Sequence, residues 1–319
     1  MTKDTTRRVG LIGRPVSHSR SPAMQQAAFD AAGVAARYEL WDTPANDLRK
    51  RVESLRQPEM LGANVTIPYK IAVMPYLDAL AASARRLAGA VNTIVHEETP
   101  RGVRLVGHNT DVTAILRMLD EEDIWSPGMR ALVLGAGGGA RAALGAALLR
   151  GAQPWVAARK RSSARAALEA LYARQDDMIA TPAPPDVSGS RPLAVPTPRD
   201  IKSQTLALDD LDALASALAG TQLLINATPT GTRDSQSSPI PIELLRGMPG
   251  NAFVMDMVYN PPETALVRAA HAAGLRAVGG FSMLLYQGAE SFTLWTGAEA
   301  PLAVMRAALE SALQAEEQA

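Results

Sequence analysis

The chain of 319 residues contains no cysteine, few aromatic residues and no excess of charge of either sign. The absence of cysteine excludes disulfide bonds, thiolate metal sites and a cysteine nucleophile. Basic and acidic residues number 32 each, so net charge gives no argument for binding nucleic acid or an anionic membrane. No apolar run approaches the roughly 20 residues of a transmembrane helix, and no signal peptide is evident. We therefore expect a cytoplasmic protein with no metal, nucleic-acid or membrane partner.

What the chain does contain is an ordinary globular composition, with 47% hydrophobic and 20% charged residues. A chain of this length can form two domains, each with its own core. Short apolar segments alternate with Ala- and Leu-rich segments of helical spacing, which predicts an α/β fold. Lys70–Leu80 and Leu206–Ala219 are both predicted to be helical. The Pro-rich segment at 181–200 is predicted to be an exposed insertion.

The segment Ala131–Leu144, ALVLGAGGGARAAL, has the pattern of a dinucleotide-binding loop. A short apolar run is followed by Gly135, Gly137 and Ala140 in the spacing G-x-G-x-x-A, and then by a helix-forming run. The first glycine allows a tight turn, the second lets a diphosphate approach the backbone, and the alanine allows close helix packing. N–H groups at the start of the helix would bind the phosphates. A Gly-rich structural turn is the alternative interpretation.

Basic residues follow the next predicted strand, Gln153–Ala158. The chain continues with Arg159, Lys160 and Arg161, with Arg165 shortly after, and no acidic residue separates them from the glycine motif. A NAD site usually has an acidic residue about 20 positions after the glycines to bind the ribose 2′-hydroxyl. Arginine instead suits a 2′-phosphate, which it grips with paired hydrogen bonds. The pattern favours NADP over NAD, and a solvated helix start is the alternative.

Polar clusters stand at the ends of predicted strands and helices elsewhere in the chain. Their hydroxyls, amides, single lysine and single carboxylate suit a small, polyhydroxylated, acidic molecule. The clusters are His18–Ser21, Asn64–Lys70, Val91–Thr93 and Asn109–Asp111, together with Tyr259 and Gln287. Taken singly, each residue also fits a structural role such as a helix cap or a buried amide.

Eight short motifs cover most of the chain outside the Pro-rich segment. They are GRPVSHSRSP (Gly13–Pro22), GANVTIPYK (Gly62–Lys70), LAGAVNT (Leu87–Thr93), GHNTD (Gly107–Asp111), GAGGGAR (Gly135–Arg141), INATPTG (Ile225–Gly231), DMVYNP (Asp256–Pro261) and GGFSMLLYQGA (Gly279–Ala289). In identity and order these motifs resemble the shikimate dehydrogenase family. An ordered set of eight is far more specific than the glycine loop alone.

The resemblance implies a fold of two α/β domains with the active site in the cleft between them. A substrate domain would comprise residues 1–107 and the C-terminal helices at 281–319, and a Rossmann-type NADP-binding domain residues 108–280. The implied reaction is the reversible, NADP-dependent reduction of 3-dehydroshikimate to shikimate, in the biosynthesis of chorismate and the aromatic amino acids. The oligomeric state stays open between monomer and homodimer.

The resemblance also implies roles for individual residues. Lys70 and Asp111 match the catalytic pair of the family. The positions that match substrate-binding residues are Ser19, Ser21, Asn64, Thr66, Asn92, Tyr259 and Gln287. The positions implied to bind the cofactor are Gly135, Ala136, Gly137, Gly138, Gly139, Ala140, Arg159, Lys160, Arg161, Arg165, Asn226, Ala227, Thr228, Met257 and Gly280.

Two alternative functions stay open at this point. One is a quinate/shikimate dehydrogenase that uses NAD or NADP, since a single hydrogen bond to one extra hydroxyl can decide such selectivity. The other is an NADP-binding sensor without catalysis. The presence of both Lys70 and Asp111 argues against the sensor, because a sensor has no need of a catalytic pair.

Overall fold

The computed structural model describes residues 6–174, 198–232 and 234–317. The chain divides into two compact units. The first unit comprises Met1–Arg85, Ala90–Ala114 and Leu284–Ala319, and the second comprises Arg86–Gly89 and Ile115–Met283. Most of the segment predicted to be an insertion, 181–200, lies outside the described residues. Pro198, near the end of that segment, begins a short helix.

Twelve strands and ten α-helices occur in the described residues. The strands are β1 (Arg7–Gly13), β2 (Ala36–Asp42), β3 (Met60–Val65), β4 (Ala79–Leu80), β5 (Thr93–Thr99), β6 (Gly102–His108), β7 (Arg130–Leu134), β8 (Gln153–Ala158), β9 (Thr205–Ala207), β10 (Leu223–Asn226), β11 (Phe253–Asp256) and β12 (Arg276–Val278). The helices are α1 (Ser21–Ala31), α2 (Leu48–Ser54), α3 (Asp111–Glu121), α4 (Gly138–Leu149), α5 (Arg161–Tyr172), α6 (Pro198–Ser203), α7 (Leu211–Leu218), α8 (Ala265–Ala272), α9 (Phe281–Thr296) and α10 (Leu302–Glu317).

The first unit contains a mixed six-stranded sheet in the order β2-β1-β3-β5-β6-β4. Strand β1 pairs in parallel with β2 and β3, whereas β5 runs antiparallel to both β3 and β6. The central strand β1 is buried over its apolar residues, as expected of a strand covered on both faces. Helices α1 and α10 pack together, and Phe29 of α1 meets Phe292 of α9 at 5.5 Å between ring centroids.

The second unit contains a six-stranded parallel sheet in the order β12-β11-β10-β7-β8-β9. This is the order of a doubly wound Rossmann sheet, in which the first and fourth strands lie side by side at the point where the winding reverses. Helices α4 and α5 pack on β8, and α8 packs on β11 and β12. Strands β7, β10 and β11 end together with their carboxyl ends at one edge. The predicted α/β class is confirmed.

Each unit has its own apolar core. In the first unit, Ile12, Val65, Ile94 and Leu105 lie in one buried cluster together with the apolar face of α2. In the second unit, side chains of the parallel strands pack with those of α7 and α8. No helix among the described residues combines the length and the apolarity needed to span a membrane.

Two helix predictions are wrong in part. Residues 70–80 form turns, a 3-10 turn at Met74–Tyr76 and strand β4, because Pro75 disfavours helical backbone before it and β4 pairs with β6. The segment predicted to start a helix at Leu206 instead begins as β9, which pairs with β8, and the helix starts at Leu211. Short apolar runs do not distinguish a strand from a helix, so pairing with a neighbour decides.

Gly62 marks a place where the first sheet tolerates no side chain. A Cβ atom at this position would lie 2.1 Å from the Ile94 carbonyl oxygen and 2.7 Å from Nε1 of Trp295. The indole of Trp295 donates a hydrogen bond to that same carbonyl at 3.0 Å. The glycine thus lets β3 lie against β5 while α9 is anchored to the sheet.

We expect Gly62→Ala to lower the free energy of unfolding by about 3 kcal/mol, because the new methyl group meets backbone that cannot move freely. Urea denaturation followed by circular dichroism measures the loss. Gly250→Ala is the matched control, since no atom lies within 4 Å of a Cβ there. Equal stability of the two variants would contradict the expectation.

Candidate active site

Lys70 and Asp111 form an ion pair in the first unit. The Lys70 Nζ atom donates to Oδ2 of Asp111 at 2.6 Å, and the two side chains are 16% and 3% exposed. Asp111 is the first residue of α3, where a negative charge also interacts favourably with the helix dipole. The carboxylate is therefore buried beside a cation that keeps some access to solvent.

Asn92 holds the second oxygen of this carboxylate. Its Nδ2 donates to Oδ1 of Asp111 and to Oγ1 of Thr110, each at 2.9 Å, and lies 3.4 Å from Oε1 of Gln287. Asn92 is 1% exposed. Both carboxylate oxygens thus have donors, which compensates for much of the lost solvation.

Asn64 lies next to this group, at the end of β3. Strand register places it directly opposite Thr93 of β5. Its Oδ1 accepts from the Tyr38 hydroxyl at 2.8 Å, and its Nδ2 lies 3.1 Å from Oγ1 of Thr93 and 3.1 Å from Oγ of Ser291. The antiparallel pairing of β3 and β5 therefore brings two amides, 28 positions apart in the chain, into one cluster.

The first unit also contains other residues that the resemblance assigns to the substrate, Ser19, Ser21, Thr66 and Gln287. Ser19 Oγ accepts from the Ser21 backbone N–H at 3.2 Å, and Ser21 opens α1. Thr66 follows β3, and its backbone N–H donates to the Ile12 carbonyl oxygen at 2.9 Å. Gln287 lies on α9, where its carbonyl oxygen accepts from the Thr110 hydroxyl at 3.0 Å. The structure thus links Gln287 to Asn92 through Thr110, and records no side-chain bond from Ser19 or Thr66 to Lys70 among the described residues.

The glycine loop lies in the second unit, between β7 and α4. Gly135 has φ +114°, a conformation that favours glycine, and a Cβ there would lie 3.1 Å from the Ala227 carbonyl oxygen. Gly137 is the N-cap of α4 and has no atom within 4 Å of a Cβ position. Ala140 is completely buried. The open space before an uncapped helix N-terminus fits a bound diphosphate.

The other positions assigned to the cofactor meet at the same edge of the parallel sheet. The methyl carbon of Met257 lies 3.1 Å from a Cβ position at Gly139, and a Cβ at Gly280 would lie 2.4 Å from the Met257 carbonyl oxygen. Asn226 ends β10, and its Oδ1 accepts from the backbone N–H and the hydroxyl of Thr228 at 3.0 and 2.8 Å. Three chain segments after parallel strands therefore converge on the glycine loop.

The basic residues follow β8 at the same edge. Arg159, Lys160 and Arg161 are exposed, and Arg161 also donates to the Lys202 carbonyl oxygen at 2.9 Å. Arg165 pairs with Glu169 at 2.7 Å, so much of its charge is neutralised within α5. An exposed positive cluster beside the glycine loop fits the 2′-phosphate of NADP.

Asp256 was not singled out from the sequence, although it connects the cofactor-side loops. It is fully buried at the end of β11 and accepts from Asn226 Nδ2 at 2.8 Å, the Val258 N–H at 3.0 Å and the Thr264 hydroxyl at 2.7 Å. Burial raises the pKa of the Asp256 carboxyl, and the three hydrogen bonds oppose this shift in part. Tyr259, a residue assigned to the substrate, lies three positions further on in this second unit.

Sequence reasoning placed Thr93 and Thr110 in two of the polar clusters without an individual role, and did not single out Tyr38 or Ser291. All four bond to the two amides or to each other. One signal was available for Ser291, which stands four positions after Gln287 and so lies on the same face of α9. No cluster of three metal-ligating side chains occurs in the described part of the chain.

Comparison with known proteins bears on what these two sites do. The model of the shikimate dehydrogenase substrate binding domain matches residues 11–94, and that of the shikimate 5′-dehydrogenase C-terminal domain matches residues 280–310. The NADP(+) shikimate dehydrogenase of Symbiobacterium thermophilum is 39% identical over 308 residues, which cover 96% of this chain and 94% of the relative. The chain belongs to the shikimate dehydrogenase family. The resemblance seen in the eight motifs is thereby confirmed.

Solved structures of the family agree with the fold. Shikimate 5-dehydrogenase from Thermus thermophilus, in complex with NADP(H) and shikimate, is 33% identical and superposes with a TM-score of 0.75, covering 96% of this chain and 100% of that one. Quinate dehydrogenase from Corynebacterium glutamicum, in complex with NAD, is 28% identical with a TM-score of 0.76, covering 96% and 99%. Fold similarity alone therefore does not separate the two substrates.

Because burial raises the pKa of the Asp256 carboxyl, we expect the free energy of unfolding to depend on pH through this residue. A carboxyl whose pKa is raised by folding stabilises the fold at low pH, and this contribution is lost as pH rises from the ordinary value of about 4 through the raised value. Asp256→Asn removes the titration, and its amide can donate to the Thr264 hydroxyl. Urea denaturation from about pH 4 to pH 7 should therefore show the variant gaining stability relative to wild type as pH increases. A constant difference across this range would contradict the raised pKa.

Proposed function

We propose that this chain catalyses the reversible, NADP-dependent reduction of 3-dehydroshikimate to shikimate. The observation that carries the proposal is the Lys70–Asp111 pair, held by Asn92 in a cluster of amides and hydroxyls. A lysine ammonium hydrogen-bonded to a carboxylate suits the interconversion of an alcohol and a ketone, because the ammonium can donate a proton to the ketone oxygen. Membership of the shikimate dehydrogenase family supports the choice of substrate. The proposed reaction would serve chorismate and aromatic amino acid biosynthesis.

The side chains of the first unit would bind the substrate. Ser19 and Ser21 offer hydroxyls at the start of α1 for its carboxylate. The ring hydroxyls would meet side chains that both donate and accept hydrogen bonds. These side chains are Asn64, Thr66, Asn92 and Gln287. Tyr259 is proposed to contact the substrate on the resemblance to the family alone.

The second unit would hold NADP. The N–H groups of the loop at 135–140 would bind the diphosphate, and Arg159, Lys160 and Arg161 the 2′-phosphate. The segments at Asn226–Thr228, Met257 and Gly280 would line the nicotinamide and its ribose. When bound, the reduced cofactor supplies the hydride that converts the ketone into an alcohol.

The residues of the chain supply the proton and the electrostatic stabilisation. As the ketone oxygen gains negative charge, the Lys70 ammonium stabilises it and donates a proton from Nζ. Asp111 orients that ammonium through Oδ2 and accepts a hydrogen bond from the hydroxyl of the alcohol. In the reverse direction, neutral Lys70 removes the hydroxyl proton, so the pair serves both directions.

The test of this proposal is an absorbance assay at the NADPH band with purified protein. Shikimate and quinate are each offered with NADP and with NAD. We expect turnover with shikimate and NADP, with kcat/KM well above the values for quinate or for NAD. Preferential turnover of quinate or NAD would contradict the proposal, as would the absence of turnover with every pair.

Replacing the proposed proton donor should affect the chemical step more than binding. We expect Lys70→Ala to lower kcat by about 100-fold or more, a usual range for losing a general acid, with a smaller change in KM for shikimate. Steady-state kinetics measure both constants. Lys50→Ala, which removes an exposed lysine of α2, is the control and should keep wild-type values. Wild-type kinetics in Lys70→Ala would refute its role.

A further inference from the structure

Three buried hydroxyls lie behind the amides of the candidate site. They belong to Thr93, Thr110 and Ser291, each with no measurable exposure. Among the described residues none of the three hydroxyls is hydrogen-bonded to Lys70 or Asp111, although Thr110 precedes Asp111 in the chain. Because buried hydroxyls need partners for both their proton and their lone pairs, the direction of each bond can be followed through this group.

Ser291 has one hydroxyl proton and two acceptors within reach of it. Its Oγ lies 2.8 Å from the Gln287 carbonyl oxygen, one turn earlier in α9, and 2.8 Å from Oγ1 of Thr93, a contact in which either hydroxyl can be the donor. Its Oγ also accepts from Asn64 Nδ2 at 3.1 Å. This serine thus connects α9 to both β3 and β5.

Thr93 stands between the two amides. Its Oγ1 lies 3.1 Å from Asn64 Nδ2, from which it accepts, and 3.1 Å from Asn92 Oδ1, to which it donates. Its other close neighbour is Oγ of Ser291 at 2.8 Å, and when Ser291 donates across this contact the Thr93 proton goes to Asn92. The Thr93 hydroxyl thus joins the two side-chain amides, and Asn64 Nδ2 also donates to the Asn92 backbone carbonyl oxygen at 3.2 Å.

These contacts decide which way the Asn92 amide faces. Its Oδ1 accepts from the Thr110 backbone N–H at 2.8 Å and from the Thr93 hydroxyl. With the oxygen held on that side, Nδ2 must face Asp111. The reverse orientation would point the amide oxygen at the carboxylate, where both groups are acceptors and repel.

We propose that Thr93 and Ser291 are positioning residues for the reaction, which act through Asn92 on Asp111 and Lys70. The inference rests on the proposed function for the catalytic role of Lys70 and Asp111. The route from Thr93 through Asn92 to Asp111 rests on the hydrogen bonds alone. A displacement of about 1 Å in a catalytic group can cost on the order of 100-fold in rate, so a hydroxyl that never touches the substrate can control kcat.

The test compares two substitutions at Thr93. Thr93→Val keeps the shape of the side chain and removes the hydroxyl, whereas Thr93→Ser keeps the hydroxyl. We expect Thr93→Val to lower kcat by about tenfold or more, and Thr93→Ser to stay within about threefold of wild type. Thr221→Val is the control, since Thr221 is equally buried and its hydroxyl bonds to the Ala217 carbonyl oxygen in the second unit at 2.8 Å. Equal kcat values for Thr93→Val and Thr93→Ser would overturn the proposal.

A double-mutant cycle tests whether the two hydroxyls act as one unit. Ser291→Ala should lower kcat in the same direction as Thr93→Val. The double variant should lose much less than the product of the two single losses, because the second substitution removes a connection that is already broken. Losses that simply multiply would overturn the shared route through Asn92.

A readout that needs no turnover separates this inference from the proposed function. The rate of Lys70 acylation by acetic anhydride, relative to the exposed Lys50, is followed by peptide mass spectrometry. We expect Thr93→Val to raise the Lys70 rate at least about twofold, because a released Asn92 lets the Asp111 carboxylate move away from the amine. An altered labelling rate in the variant, combined with a wild-type protein that does not turn over shikimate, would refute the function and keep the positioning route. An unchanged labelling rate would overturn the route, whatever happens to kcat.

Discussion

The carboxylate of Asp111 is a charge taken out of water, and the groups around it are arranged to compensate for that. Lys70 bonds to one oxygen and Asn92 to the other, at 2.6 and 2.9 Å. Burying an ion is costly unless it is paired and hydrogen-bonded, and removing one partner leaves the other charge uncompensated. The positions of Lys70, in the turns after β3, and of Asn92, directly before β5, are therefore linked to this one carboxylate.

The two units offer different chemical groups for binding a ligand. In the first unit, side-chain amides and hydroxyls provide a fixed pattern of donors and acceptors, which suits a small polyhydroxylated ligand. In the second unit, the space around Gly137 is open at the start of α4, and exposed arginines after β8 add charge. Asp256 then ties the loops after β10 and β11 together, as a buried acceptor of three hydrogen bonds.

Local features of the fold were predictable where the backbone conformation at a position strongly favours one residue type. Gly135 at positive φ, the strand before it and the helix after it all follow from the pattern of the glycine loop. The segment 70–80 was not predictable in the same way. Its apolar residues fit a helix, but β4 forms because the edge of β6 offers backbone partners, and a prediction from local spacing does not include that edge.

For the candidate site, the sequence alone determined the family and the residues on which its motifs agree, Lys70, Asp111 and Asn92 among them. It also determined which residue types were present to bind a dinucleotide. Only the tertiary structure decided which side chains support them. Ser291 lies 198 positions from Thr93 and 227 from Asn64, yet hydrogen-bonds to both. The physical reason is that a hydrogen bond requires two atoms within about 3 Å in a suitable direction, and only the packed strands and helices set that distance.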